Sequence, residues 1–506
     1  MKDERKRFPQ LAYNWISGAG AVVALVAGIT MAFLLVFSFT MEEDHNPYFG
    51  IFLYMVMPAV LTFGLILVPV GMFRSWRRFR KGEGGQPRRW PSVDLNRSSH
   101  RNAIVVFVVG TVFFVLISAV GSYEAYHYSE SVEFCGTTCH TVMEPEFTTY
   151  QESPHARVAC TECHVGAGAD WYVKSKLSGA YQIYANLAEI YPTPIPTPIE
   201  SLRPAQQTCE QCHWPERNFG AQQRQFHHFM YDEDNTHWPI DMLIKTGGGD
   251  PRSGQTAGIH WHMNIGVEVT YVARDETRQE IPWVQVRDRR TGRVTVYQDE
   301  SEPLTEEELA VAPRRVMDCM DCHNRPSHTF DSPDEAIDHR LLVGDIDREI
   351  PFVKEQAVKA MEEEYASKDE ALEAIANRIT EYYRTEQAAF YAASSVKVDN
   401  AVVAVQDAYS KTIFPAMKAR WDVYPDNIGH FMYEGCMRCH DGEHVSEEGV
   451  VVTQSCTACH TILSQGSGEL RQVASTQEGL EFLHPEDIGE MWQEVGCWEC
   501  HTGTQP

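Results

Sequence analysis

The chain has 506 residues, of which 43% are hydrophobic and 22% charged, with 14 cysteines and a formal net charge of −27. That acidity leaves no nucleic acid among the expected partners. The cysteines fall into pairs, each followed by a histidine, which neither a plain disulfide framework nor a zinc ribbon requires.

The N-terminus carries Lys2, Arg5, Lys6 and Arg7. Three uncharged runs follow, at roughly 16–39, 49–73 and 103–122, each long enough for a hydrocarbon core of about 30 Å. A cleaved signal peptide could account for the first run but not for three. The loop between the first two runs is acidic, with Glu42, Glu43 and Asp44. The loop between the last two carries Arg74, Arg77, Arg78, Arg80, Lys81, Arg88, Arg89, Arg97 and Arg101. The positive-inside rule then predicts a cytoplasmic (inner) membrane protein whose N-terminus is cytoplasmic and whose chain beyond Ser122 is periplasmic. Most of the acidic charge falls in that outer part. It either solvates the surface or steers basic redox partners to it.

Shortly after the third span comes "FCGTTCHTVM", residues 134–143. Cys135, Cys139 and His140 form a widened version of the Cys-x-x-Cys-His pattern. Six regular copies follow: Cys160/Cys163/His164, Cys209/Cys212/His213, Cys319/Cys322/His323, Cys436/Cys439/His440, Cys456/Cys459/His460 and Cys497/Cys500/His501. Two thiols at this spacing can form thioethers with one haem and deliver the next histidine to its iron. Seven covalently bound haem c groups are expected. No Cys-x-x-Cys-Lys variant occurs, which argues against a nitrite-reductase-like catalytic haem.

Between the motifs, "YPTPIPTPIE" at 191–200 is too rich in proline for a helix and reads as an extended strap. The alternation in 264–298 predicts two or three short strands with turns near Asp275 and Thr291–Gly292. Residues 353–384 place apolar side chains at three-and-four spacing, as an amphipathic helix pair would. The expected fold is mainly α: three transmembrane helices and a periplasmic multihaem domain with a small β insert. No single large apolar core is implied, since haems can fill that role. The expected divisions are a membrane domain (1–122), a haem domain with sites 1–3 (123–230), the β insert with site 4 (231–345), a helical segment (346–425) and a triple-haem module (426–506).

Six irons beyond the first need distal ligands. The available histidines are His127, His155, His227, His228, His237, His260, His262, His328, His339, His430, His444 and His484. Position relative to the motifs favours His155, His228, His262, His328, His430 and His444. An iron held by two histidines has no open position, so these haems are expected to relay electrons.

The stretch "FCGTTCHTVMEPEFTTYQESPHARVACTECHVG" resembles the NapC/NirT/NrfH group of membrane-anchored quinol dehydrogenases over roughly residues 123–230. Three spans and seven sites exceed what such proteins usually carry. The resemblance implies a first haem at the membrane surface, ligated by a methionine matching Met143, with menaquinol as substrate. It also implies a lysine and an acid near the quinol. Lys174 or Lys176 matches the lysine, while Gln182 stands near the acid's place and Asp170 or Glu189 would have to substitute. These lie on "DWYVKSKLSGAYQIYANLAEIY", whose aromatic residues suit a headgroup region. The partners implied are the inner membrane, the quinol pool and periplasmic c-type cytochromes, with a homo-oligomer left open. The implied function is menaquinol oxidation with electron relay to periplasmic cytochromes in anaerobic or extracellular respiration. The alternatives are an electron-transfer subunit of a larger quinone-linked complex, running in either direction, or a multihaem terminal reductase.

Overall fold

The computed structural model describes residues 10–505 except 13, 41–51, 81–93, 139, 167–168, 200–202, 215–219 and 249–257. The chain divides into two units, Met1–Thr138 and Cys139–Pro506. The acidic loop at 42–44 and the basic residues Lys81, Arg88 and Arg89 lie outside the described residues.

The first unit contains three helices of membrane-crossing length and apolarity. They are α1 (Trp15–Thr40), α2 (Met57–Arg80) and α3 (Ser98–Ser129). At 1.5 Å per residue, the 26 residues of α1 span about 39 Å. Helices α1 and α2 meet through small residues. A side chain on Gly20 would collide with the Gly64 carbonyl, and one on Gly64 with the Ala24 backbone. Such close approach replaces the hydrophobic drive that lipid removes. Ser17, buried in the same seam, donates to the Val68 carbonyl at 2.9 Å. Helix α3 leaves Phe107, Phe113 and Leu116 exposed, as a lipid-facing helix does.

The second unit starts with α4 (His140–Glu152) and, after the second motif, α5 (Ala169–Leu187). Its proline-rich stretch contains neither helix nor strand over 191–199, and Tyr191 and Ile195 pack on the helical core. The strands are β1 (Gln222–Phe229), β2 (His237–Ile244), β3 (Val267–Val272), β4 (Trp283–Asp288), β5 (Val294–Asp299), β6 (Arg315–Val316), β7 (His444–Ser446), β8 (His460–Gln465) and β9 (Gln472–Val473). They form two antiparallel sheets, ordered β1-β2-β8-β9 and β6-β3-β4-β5-β7. The three strands read from the alternation are β3, β4 and β5. Their turns contain Asp275, which accepts from the Gln279 amide at 3.0 Å, and Gly292 at φ +75. Both sheets recruit strands from residues 444–473, so the β structure extends well beyond the insert.

Four helices lie between the fourth and fifth attachment sites: α6 (Pro333–Val343), α7 (Val353–Met361), α8 (Lys368–Thr385) and α9 (Ala388–Thr412). Helix α6 starts with a capping box in which Ser332 accepts from the Glu335 amide at 3.2 Å, and Pro333 occupies the first turn, where its missing N–H is no loss. In α8 the buried residues are Ala371, Ile375, Ile379 and Tyr383, one per turn, facing Val398, Val402, Val405 and Tyr409 of α9 in one core. This region holds a real apolar core, contrary to the expectation that none was implied. The amphipathic pair read from sequence corresponds to α7 and α8, with α9 completing their burial.

Candidate haem-binding sites

Each regular attachment motif forms a short turn. Cys160–His164, Cys319–Cys322, Cys456–Cys459 and Cys497–Cys500 are α-helical, while Cys209–Gln211 and Gly435–Arg438 are 3-10 turns. A turn brings residues three apart to one side, so both thiols of a pair can address one macrocycle. The backbone folds back on the first cysteine: the amides of His213, His323 and His501 donate to the carbonyls of Cys209, Cys319 and Cys497 at 2.8 Å each. No disulfide joins any of the described cysteines. In the widened motif, Cys135 lies on the short helix Val132–Thr137. Cys139 and the side chain of His140 fall outside the described residues.

The six described attachment histidines each face one other histidine. Ring centres are 6.4 Å apart for His164 and His328, 6.0 Å for His213 and His155, and 6.2 Å for His323 and His260. They are 5.9 Å apart for His440 and His262, 6.2 Å for His460 and His430, and 6.1 Å for His501 and His484. Two imidazoles on one metal need two bonds of about 2 Å, with about 1 Å from each nitrogen to its ring centre, or about 6 Å in all. All six pairs have the spacing that a haem iron with two axial imidazoles requires.

The hydrogen bonds select the nitrogen. Nδ1 of His155 donates to the Pro326 carbonyl at 2.9 Å, of His328 to the Glu146 carbonyl at 2.9 Å, of His260 to the Thr246 carbonyl at 2.6 Å and of His262 to the Ile259 carbonyl at 2.9 Å. A neutral imidazole with its proton on Nδ1 keeps the Nε2 lone pair for a metal. Burial favours the neutral form: it lowers the pKa of His164, His262, His323, His430, His460 and His501, and takes His328 to about 4.

Four of the six distal candidates read from sequence, His155, His262, His328 and His430, are in these pairs. The other two are engaged elsewhere. The Nδ1 of His444 is 2.9 Å from Asp441, and its Nε2 donates to the Ile281 carbonyl at 2.7 Å. Both nitrogens are therefore occupied, and although burial opposes it, the Asp441 and Ile281 partners raise the His444 pKa. His228 lies beside a buried ion network, its Nδ1 3.8 Å from Asp338. There Lys354 holds Asp334 at 2.8 Å and Asp338 at 2.6 Å, so an ammonium already supplies the cation that two carboxylates and a histidine could offer a metal. His260 and His484 are the rings that face His323 and His501. The sequence signal for His260 was "GIHWH", where both histidines of the pair, and not one, face an attachment histidine. His484 carried no comparable signal.

Neighbouring motifs approach one another in chain order. Cys163 lies within electrostatic range of Cys209 and Cys212, and Cys209 lies beside Cys319. Cys322 is near Cys436, Cys459 near Cys436, and Cys497 near Cys456.

Among the quinol-site candidates, Met143 is half-buried on α4. Lys174 is exposed on α5, its Nζ 4.8 Å from the centre of the Trp171 ring, and Lys176 is half-buried. The side chain of Asp170 falls outside the described residues. One side of α5 leaves Leu177, Tyr181, Tyr184 and Leu187 exposed, at 61–72%.

Membrane-length helices, repeated thiol-pair turns and imidazoles paired at metal-bridging distance define a membrane-anchored multihaem c-type cytochrome. The chain belongs to the NapC/NirT cytochrome c family, which implies quinol-linked electron transfer: residues 96–196 match the family's N-terminal region. It is 45% identical to the cytochrome c-type protein ImcH of Geobacter sulfurreducens over 492 residues, which is 97% of this chain and 95% of that protein. No solved structure matches it.

Proposed function

We propose that the protein oxidises menaquinol at the periplasmic face of the inner membrane and hands the electrons, through seven haem c groups, to periplasmic c-type cytochromes. Bound haem c supplies reversible one-electron chemistry at each iron. The observation that carries the reading is the set of six imidazole pairs, strung in chain order from His164 to His501. Each pair would supply two histidine ligands to one haem, which would suit those six sites to electron relay and leave no place there for a small-molecule substrate. Carbonyl acceptors on the Nδ1 of His155, His260, His262 and His328 hold those rings in one tautomer and would raise the basicity of the other nitrogen.

The entry site differs. Cys135, Cys139 and His140 would attach the first haem, with Met143 as its second protein ligand, since a thioether raises a haem's potential relative to a second histidine. Quinol oxidation releases two protons with its two electrons, so polar residues must receive them. Lys174, Lys176 and Asp170 on α5 are the candidates, and the exposed stripe of Leu177, Tyr181, Tyr184 and Leu187 suits a helix lying on the lipid headgroups. The basic N-terminus and the basic loop before α3 support a cytoplasmic placement for both.

The test is reduction of the purified full-length protein by a menaquinol analogue, followed by haem absorbance, with dithionite as the control. Wild-type protein is expected to reduce with both. Met143→Leu is expected to lower one haem's potential and slow the quinol reaction while dithionite reduction stays complete. Unchanged quinol kinetics in that variant would remove Met143 from the entry site, and no quinol reduction in the wild type would sink the function itself.

A further inference from the structure

Arg203 is only 5% exposed, yet its Nε and Nη1 have no hydrogen-bond partner among the described residues. The side chain is nevertheless held firmly. Its Nη2 donates to Gln207 Oε1 at 3.1 Å, and its Cζ lies 5.9 Å from the centre of the Trp171 ring. The guanidinium also occupies the space that a side chain at residue 166 would fill, and that residue is a glycine at φ +62. A buried charge without a counter-charge is costly, and a cradle that fixes such a charge implies an anion to meet it. Gly166 lies two residues beyond His164, and Arg203 shortly precedes Cys209. The donors are therefore bracketed by the second and third attachment motifs, where each bound haem would bring two propionate carboxylates.

We propose that Arg203 is a haem-propionate anchor, donating from Nε and Nη1 to a carboxylate of the haem attached at Cys160/Cys163 or at Cys209/Cys212. This rests on the haem reading of those motifs. The guanidinium suits the task because it offers several donors in a fixed plane that matches a carboxylate. Gly166 and Trp171 keep it from folding away toward solvent, so Arg203 acts on potential and cofactor position and takes no direct part in quinol chemistry.

The experiment is a spectroelectrochemical titration of the full-length protein with Arg203 replaced by Leu, Gln or Lys, each first checked for haem content per chain. Removing the cation leaves a carboxylate unneutralised and favours the more positive oxidised iron. Arg203→Leu and Arg203→Gln are each expected to shift one transition downward about tenfold in its redox equilibrium, or about 59 mV for one electron. Arg203→Lys is expected to restore at least half of that shift. If Arg203→Leu does not accumulate with its full haem content, the Gln and Lys pair makes the same comparison. Potentials equal to wild type in protein of full haem content, or the same shift in Lys as in the neutral variants, would overturn the proposal and leave Arg203 a packing residue. Haem content showing no haem at these two motifs would overturn the underlying reading instead. Adding His328→Met or His155→Met, which raises the haem at His164 or at His213 respectively, identifies the macrocycle that Arg203 anchors.

Discussion

Residues 333–412 and the attachment segments on either side of them are held together differently. The first contains no attachment motif, and its helices bury Ile337, Ile375, Ile379, Val398 and Val405 at 0–1% exposure. The attachment segments form single turns, and Cys163, Cys212, Cys456 and Cys500 stay exposed. A helix with an apolar face is stabilised by burying that face. A one-turn helix has almost no such face, so its position depends on the group attached to it and on the histidine facing it. The pairs cross-link the chain. His155 faces His213 although it precedes Cys160, and His328 follows the fourth motif but faces His164 of the second. The last pair, His484 and His501, is local to the C-terminus and links no distant segments.

Five substitutions can break or sharpen this contrast. Lys354→Met leaves Asp334 and Asp338 buried without their cation and should cost about 3–5 kcal/mol. A lower unfolding midpoint with unchanged haem absorbance is the expected result. Ile375→Ala in α8 should cost about 2–4 kcal/mol by the same measurement, again without altering ligation. The histidine pairs should behave in the opposite way. His328→Ala and His484→Ala should each turn one haem high-spin by electron paramagnetic resonance, whereas His444→Gln should change no haem. Of the two alanine variants, only His328→Ala should also lower the unfolding midpoint, by about 1 kcal/mol or more, because its pair joins two distant segments. Equal losses for His328→Ala and His484→Ala would abolish the distinction.

The smallest effect concerns pH. Glu335 is exposed on α6, yet desolvation by the protein packed around its carboxyl, aided by Asp331, pushes it up to about 8. Between its ordinary range and that value, the folded state keeps a proton that the unfolded chain has released. Stability therefore falls as pH rises across the window. Glu335→Gln should flatten that decline in unfolding midpoints measured between pH 5 and 8.5.

Local patterns were legible from the residues alone. The spacing of Cys160, Cys163 and His164 announces its chemistry because thioether attachment and iron ligation act within five residues. The apolar lengths of α1, α2 and α3 and the one-per-turn spacing of Ala371, Ile375, Ile379 and Tyr383 are equally local, since helix periodicity requires no distant partner. The strands around Asp275 and Gly292 could be read for the same reason.

What needed the tertiary structure was whatever joins distant segments. No local signal separates His260 from His262, or His484 from His444, because a distal ligand is defined by where its ring ends up and not by its neighbours in sequence. His444 instead meets Asp441 and the Ile281 carbonyl, and His228 lies beside the Lys354 network. The recruitment of β7, β8 and β9 into sheets begun some 200 residues earlier was hidden for the same reason. The sequence determined which side chains can bind, span or turn, since those are properties of a few adjacent residues. Only the folded chain decided which imidazole faces which, because that depends on burial and hydrogen bonds between segments that meet only once the protein has folded.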